Sequence, residues 1–286
     1  MQYIRDHIAS KMDVAQLEMS PCPHLVIENF FPDDVFHKLL KYNPFKGNSG
    51  VEWLRKEESK KWTSRTPYHA RKQINFHEND RFDAPEDQQA FWNELKDCFL
   101  ADDWFPQLVI DKFPVYFDIR FGDIAREPDF IALLRREMFL QRHEPGFYIG
   151  PHTDIPTRIF TCIFSLAERE GFEEYGTVFL EPKEKMTRCW GNDHYSPDDF
   201  ETKKIAPYKP NNFLLFFKTR QSFHQVPSIT PDVPNDRYGM QFQFYEPKGG
   251  LFRDLSVPDL MEIVHRNPGQ QTLKMKINRV LGREAA

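Results

Sequence analysis

The chain has 286 residues, 40% hydrophobic and 28% charged, with a formal net charge of −5. That composition suits a globular protein with one large core and argues against a general binder of polyanions such as nucleic acid. Cys22, Cys98, Cys162 and Cys189 form no CxxC pair, which disfavours a zinc site or disulfide framework and fits a reducing cytoplasm.

MQYIRDHIASKMD at the N-terminus has no apolar h-region, so export through a signal peptide is not expected. No run of about 18 apolar residues follows, so no spanning helix is predicted. HLVIENF (24–30) reads as a strand. PDDVFHKLLKY (32–42) carries Asp34 near its start and apolar residues at 35, 39 and 40, the spacing of a helix. Residues 45–83 are polar and irregular apart from a strand near ARKQINF (70–76). A helix is predicted over 84–105, with Phe91, Leu95 and Phe99 on one face.

From about residue 137 the pattern changes to short β-branched or aromatic segments separated by turn residues. They are MFLQRHE, RIFTCIFSLA, GTVFLEP, NNFLLFFKT, SFHQVPSIT and RYGMQFQFYEP. Successive strands at this spacing predict a sandwich or barrel. Residues 183–210 stand out as one long polar insertion, the kind that forms lids or binding loops. In the tail, VPDLMEIVHR reads as a helix with Ser256 as N-cap. Lys274, Lys276, Arg279 and Arg283 then make a basic end, either a solvated surface helix or a contact with an anionic membrane or ligand.

The chemistry centres on FYIGPHTDIPTR (147–158). In a strand, residues i and i+2 point to the same side, so His152 and Asp154 can converge on one ion. His224, following the apolar strand NNFLLFFKT, is the strongest third ligand, with His194 of GNDHY its main competitor. Two imidazoles and a carboxylate make the facial triad of non-haem Fe(II), although zinc accepts similar ligands. Arg237 lies 13 residues beyond His224 at the start of an aromatic strand. Its guanidinium needs an anion, either an external carboxylate held in a bidentate fork or a protein partner such as Asp236 or Glu181.

In their order, these segments resemble the Fe(II)- and 2-oxoglutarate-dependent dioxygenases of the prolyl-hydroxylase-like branch. LQRHEPGFYIGPHTD resembles the strand leading to HxD, and RIFTCIFSL the next strand, with Arg158 and Thr161 in familiar places. YGTVFLEP, PNNFLLFFKTRQSFHQV and NDRYGMQFQFYE follow, and HLVIENFFPDDVFHKLL is similar to the usual N-terminal strand and helix. The resemblance implies a mainly β fold with flanking helices, a double-stranded β-helix (jelly roll, cupin-like). It implies iron on His152, Asp154 and His224, and 2-oxoglutarate held by Arg237. Family members often carry a tyrosine near the place of His143; here His143 or Tyr148 is the candidate for that task, with Thr161 also on the cosubstrate side. The implied reaction couples decarboxylation of 2-oxoglutarate, with O2 and with ascorbate as a reductant, to hydroxylation of an unactivated C–H bond. Because Asp154 is present, no coordination place is left for a halide.

The expected organisation is residues 1–136 packing on a core of 137–247, with a basic helical tail at 248–286, all in one catalytic domain. Arg142, Arg158, Lys218 and Arg220 are expected at the pocket rim, and Arg142, Arg158 and His194 on the substrate side. Cations there, with the basic tail, point to an anionic sugar or glycolipid such as the acidic inner-core sugar of lipopolysaccharide (Kdo), at the inner face of a membrane. A small amino acid, a natural product or a protein prolyl residue ranks behind it. A catalytically silent jelly-roll binding module and a zinc hydrolase are the alternatives of other classes.

Overall fold

The computed structural model describes residues 1–46, 70–78, 84–126, 130–189, 191, 193–231 and 236–246. Six helices occur among them: α1 (Gln2–Val14), α2 (Asp33–Lys41), α3 (Glu86–Leu100), α4 (Trp104–Lys112), α5 (Pro114–Phe121) and α6 (Phe130–Leu133). The strands are β1 (His24–Glu28), β2 (Arg71–Asn75), β3 (Arg135–His143), β4 (Ile149–His152) and β5 (Arg158–Leu166). They continue with β6 (Thr177–Pro182), β7 (Phe200–Ala206), β8 (Pro210–Phe217), β9 (His224–Val226) and β10 (Arg237–Tyr245). The expected helix from Val257 and the basic tail lie outside the described residues, as does most of 45–83.

The strands form a six-stranded sheet, ordered β1-β8-β5-β10-β3-β2, and a four-stranded sheet, ordered β4-β9-β6-β7. Every pairing is antiparallel. From β3 onward the chain passes back and forth between the two sheets, which is the winding of a jelly roll. The predicted fold class is therefore observed, a mainly β core with flanking helices.

Alternation along the large sheet decides what packs where. Cys162 and Phe164 of β5, Phe213 and Leu215 of β8, and Met240, Phe242 and Phe244 of β10 face the helices and join one apolar cluster. That cluster runs from Ile4 of α1 to Phe244. Its rings pack edge-to-face or stacked, as with Phe30 on Phe213 (4.1 Å), Phe31 on Phe164 (5.4 Å) and Phe99 on Phe105 (5.0 Å).

Several helical expectations need adjustment. The single helix predicted over 84–105 is two, α3 and α4, because the chain bends at 101–103. Pro106 sits in the first turn of α4, where a missing N–H costs nothing, and Pro114 plays the same part in α5. On α3, Leu95 and Phe99 are buried as expected, while Trp92 is buried and Phe91 only half-buried. The polar insertion predicted over 183–210 contains β7, an edge strand of the small sheet. Glu201, Thr202, Lys203 and Lys204 keep it polar, and charge on an edge blocks pairing with other chains.

Candidate metal centre and the pocket beside it

His152 ends β4, His224 opens β9, and the two are register partners in the small sheet. Asp154 sits in the turn that leads to β5. One ligand atom from each of the three lies within 4.8 Å of the others. Both rings are fixed from behind: His152 Nδ1 donates to the Gly150 carbonyl (2.8 Å) and His224 Nδ1 to the Ser222 carbonyl (2.9 Å). A carbonyl oxygen can only accept, so each Nδ1 carries the proton and each Nε2 keeps its lone pair for a metal.

Burial also keeps both rings neutral. Burial, reinforced by the facing His224, holds His152 down to about 3, and burial likewise lowers His224. Burial alone would raise the Asp154 carboxyl, but the Arg158 guanidinium and the Thr161 hydroxyl bond contribute to outweighing it, and the group sits at about 2. Arg158 Nη1 donates to Asp154 Oδ1 (2.9 Å) and Thr161 Oγ1 donates to Oδ2 (2.8 Å). The centre is thus two neutral imidazoles and one carboxylate at ordinary pH, a donor set that fits Fe(II).

Thr161, expected on the cosubstrate side, therefore has its hydroxyl committed to a ligand carboxylate. Arg158, expected to meet substrate, is bound to the same carboxylate and to Tyr245 Oη (2.5 Å). Arg142 lies on the opposite face of β3 from His143 by strand alternation and pairs with Asp236 and Glu144. It is thus removed from the pocket. Lys218 is buried inward, with Nζ donating to Thr153 Oγ1 (2.6 Å), Thr219 O (3.0 Å) and Cys189 O (3.3 Å). Burial lowers its pKa to about 8.

His194 does reach the centre. Its ring stacks on His152 at 5.1 Å and 19°, and the neighbouring Tyr195 N–H donates to Pro151 O (2.9 Å). Gly191 lets this segment press on the metal-binding turn. Its φ is +120°, and a Cβ there would lie 2.6 Å from Asp154 O, so no other residue fits.

Arg237 is 5% exposed. Its Nε donates to Tyr175 O (2.8 Å), its Nη1 to His143 Nδ1 (2.8 Å), and its guanidinium lies 5.2 Å from the Tyr208 ring centroid. The protein carboxylates that could have neutralised it are engaged elsewhere, Asp236 with Arg142 and Glu181 with Lys203. No carboxylate among the described residues pairs with it. Around it, two buried polar atoms have no hydrogen-bond partner, His143 Nε2 and Ser165 Oγ. Ser165 is the register partner of Gly239, whose missing side chain leaves the floor of this space low. Tyr148, just before β4, is half-buried.

The sequence reading missed Ser165, Tyr245 and Arg120. Ser165 could have been found from alternation, because Thr161, Ile163 and Ser165 share one face of β5. Arg120 of α5 had no local signal. It is fully buried and donates to Pro156 O (3.2 Å), Arg158 O (2.8 Å) and Glu246 Oε1 (3.0 Å), bracing the metal-binding turn from behind.

No family model matches the sequence, and no curated protein matches it. Among solved structures, a Pseudomonas putida prolyl-4-hydroxylase is similar at 12% identity, over 84% of this chain and 98% of that one, with a TM-score of 0.45. A 2OG-Fe(II) oxygenase family oxidoreductase from Burkholderia pseudomallei is similar at 13%, over 84% and 89%, with a TM-score of 0.40. HygX from Streptomyces hygroscopicus, with nickel, 2-oxoglutarate and hygromycin B bound, is similar at 10%, over 78% and 82%, with a TM-score of 0.43. These likenesses are distant, and what the chain can do is set by its own side chains: a jelly roll carrying a His-Asp-His centre and a buried arginine that pairs with no carboxylate among the described residues.

Proposed function

We propose that the protein is an Fe(II)- and 2-oxoglutarate-dependent dioxygenase that hydroxylates an unactivated C–H bond. The balance is 2-oxoglutarate, O2 and R–H giving succinate, CO2 and R–OH. The observation that carries the reading is the presence of two features on the inner side of the large sheet, linked through Thr161 and β10. His152, Asp154 and His224 present ligand atoms within 4.8 Å of one another, and Arg237 is buried with no carboxylate partner among the described residues. A buried guanidinium without an anion is costly unless a ligand supplies one.

Iron bound to the triad would supply the redox chemistry of O2 activation. The chain's own residues position the reactants. Arg237 would take the distal carboxylate of 2-oxoglutarate, with His143 Nε2–H and Ser165 Oγ–H as further donors and Tyr148 beside them. Arg158 and Thr161 hold Asp154 ionised and oriented toward the metal. His194 lies over the His152 ring and Gly191 packs on the metal-binding turn.

An anionic sugar or glycolipid was expected from a cationic rim. Arg142, Arg158 and Lys218 each have partners within the protein, so they offer little to an anionic substrate. Four free, buried thiols support a reducing compartment. Among the described residues no helix is long and apolar enough to cross a membrane. Contact of the basic tail with an anionic membrane surface stays a proposal, tested by vesicle partitioning with and without residues 270–286.

The experiment is succinate formation from 2-oxoglutarate with Fe(II) under air. His152→Ala and His224→Ala are each expected to lower it by more than about 100-fold, since even supporting groups around a metal are worth 10–100-fold. Full activity in either variant removes that residue from the centre.

A further inference from the structure

Resting on the dioxygenase reading, we propose that the substrate is a neutral, polyhydroxylated ring compound. It would lie in a carboxamide-lined trough that runs from the metal centre across β10, β3 and β2. Gln243 of β10 is the register partner of Thr161, whose hydroxyl holds Asp154, so it stands one strand away from the ligand set. Gln241 follows on the same face, opposite Phe139 of β3, and Phe139 is in turn opposite Asn75 of β2. Gln141 of β3 is opposite both Gly239 and Gln73. All of these point away from Met138, Leu140, Phe242 and Phe244, which belong to the apolar cluster under the helices.

The carboxamides form short chains. Tyr245 Oη donates to Gln243 Oε1 (2.6 Å), and Gln243 Nε2 donates to Gln241 Oε1 (2.9 Å). Gln141 Nε2 donates to Gln73 Oε1 (2.7 Å). Each carboxamide offers two N–H groups and two lone pairs. Among the described residues Gln241 uses only its oxygen and Gln141 only one N–H, so donors and acceptors both remain for a ligand. Phe139 adds a ring that is buried yet outside the main apolar cluster, touching His77 edge-to-face at 4.9 Å.

Among the described residues, the charges at the metal end of the trough are matched. Arg158 pairs with Asp154 and Arg135 with Glu137, and both guanidiniums lie against the Tyr245 ring, at 4.8 and 4.0 Å. A carboxylate entering along Gln243, Gln241 and Gln141 would lose hydration and meet neutral amides first, since Arg158 and Arg135 are already paired, which disfavours it. A purely apolar substrate would leave the amides unpaired, and sites built to hydrogen-bond reject such ligands strongly. Hydroxyls are both donors and acceptors, as the carboxamides are, and the C–H face of a saturated ring can lie on Phe139.

The test uses the full chain with Fe(II) and 2-oxoglutarate. It measures substrate-stimulated succinate and the gain of one oxygen atom by mass spectrometry, across neutral glycosides, the matching sugar acids and free amino acids. Neutral glycosides are expected to exceed the sugar acids by about 10-fold or more in kcat/KM. Gln243→Leu and the half-exposed Gln241→Leu should each raise the glycoside KM by about 10-fold, while the iron–2-oxoglutarate charge-transfer band persists. A preference for sugar acids or amino acids, or unchanged KM in both variants, overturns the proposal. If the charge-transfer band and succinate are missing altogether, the dioxygenase reading fails, and that outcome is distinct.

Discussion

The two faces of the six-stranded sheet are made by alternate residues of the same strands, yet they do opposite work. On β5, Cys162 and Phe164 pack into the phenylalanine cluster, while Thr161 and Ser165 face the pocket. On β10, Phe242 and Phe244 look toward the helices, while Arg237 and Gln243 look inward. The outer face is apolar and buried under the helices. Among the described residues, the inner face keeps a guanidinium without a carboxylate partner and hydroxyl and imidazole atoms without hydrogen-bond partners. A period of two separates stability from chemistry, so one face can hold unsatisfied groups while the other offsets their cost.

The largest effect that would break this division comes from the outer face. Phe164 packs against Phe30, Phe31, Phe99 and Phe213 at 5.0–5.5 Å between ring centroids. Phe164→Ala should lower stability by about 3–5 kcal/mol in urea unfolding, with the 2-oxoglutarate KM nearly unchanged below the transition. On the inner face the order reverses. Arg237→Ala should raise the 2-oxoglutarate KM by roughly 10–100-fold, the loss of a charge-assisted fork worth about 1.5–3 kcal/mol, with little change in unfolding. Equal effects on cosubstrate and substrate would remove Arg237 from the role given to it.

The outer face and the metal turn were the legible parts of the sequence. Apolar strand runs and HxD followed by a distal histidine are local patterns, and the structure brings His152, Asp154 and His224 together as read. β7 was hidden because an edge strand with Glu201, Lys203 and Lys204 has the composition of a loop. α1 was also missed, although Ile4, Ile8 and Met12 recur at helical spacing and are buried. The pairings that neutralise Arg142 and Arg158, the stacking of His194 on His152 and the bracing by Arg120 depend on contacts between distant segments. No single window of the chain carries them.

A third prediction concerns acid. A histidine whose folded value lies below its unfolded one takes up a proton on unfolding, so acid favours the unfolded chain. His152 falls from about 6.5 unfolded to about 3 folded. Its contribution is complete above about pH 6.5 and drains away as the pH falls from there toward 3. Burial lowers His24, His143 and His224 in the same direction. The metal-free protein should therefore lose stability between pH 7 and pH 5, with His152 alone accounting for about 2 kcal/mol at pH 5. Replacing it in His152→Gln should remove that share from the difference between urea midpoints at the two pH values. An unchanged difference would mean that His152 is not held neutral.

The smallest effect separates the two faces most sharply, because it carries opposite signs for stability and for binding. Ser165 Oγ is buried with no partner. In the ligand-free protein Ser165→Ala removes an unsatisfied hydroxyl, so stability should hold or rise by up to about 1 kcal/mol. If the hydroxyl waits for the distal carboxylate beside Arg237, the same change should weaken 2-oxoglutarate binding by about 10-fold, the worth of one hydrogen bond to a charged group. Isothermal titration of iron-loaded protein and urea unfolding of the apo form measure the two together. A loss of stability with unchanged binding would place Ser165 with the packing residues, and the inner face of β5 would then serve the metal ligand through Thr161 and not the cosubstrate.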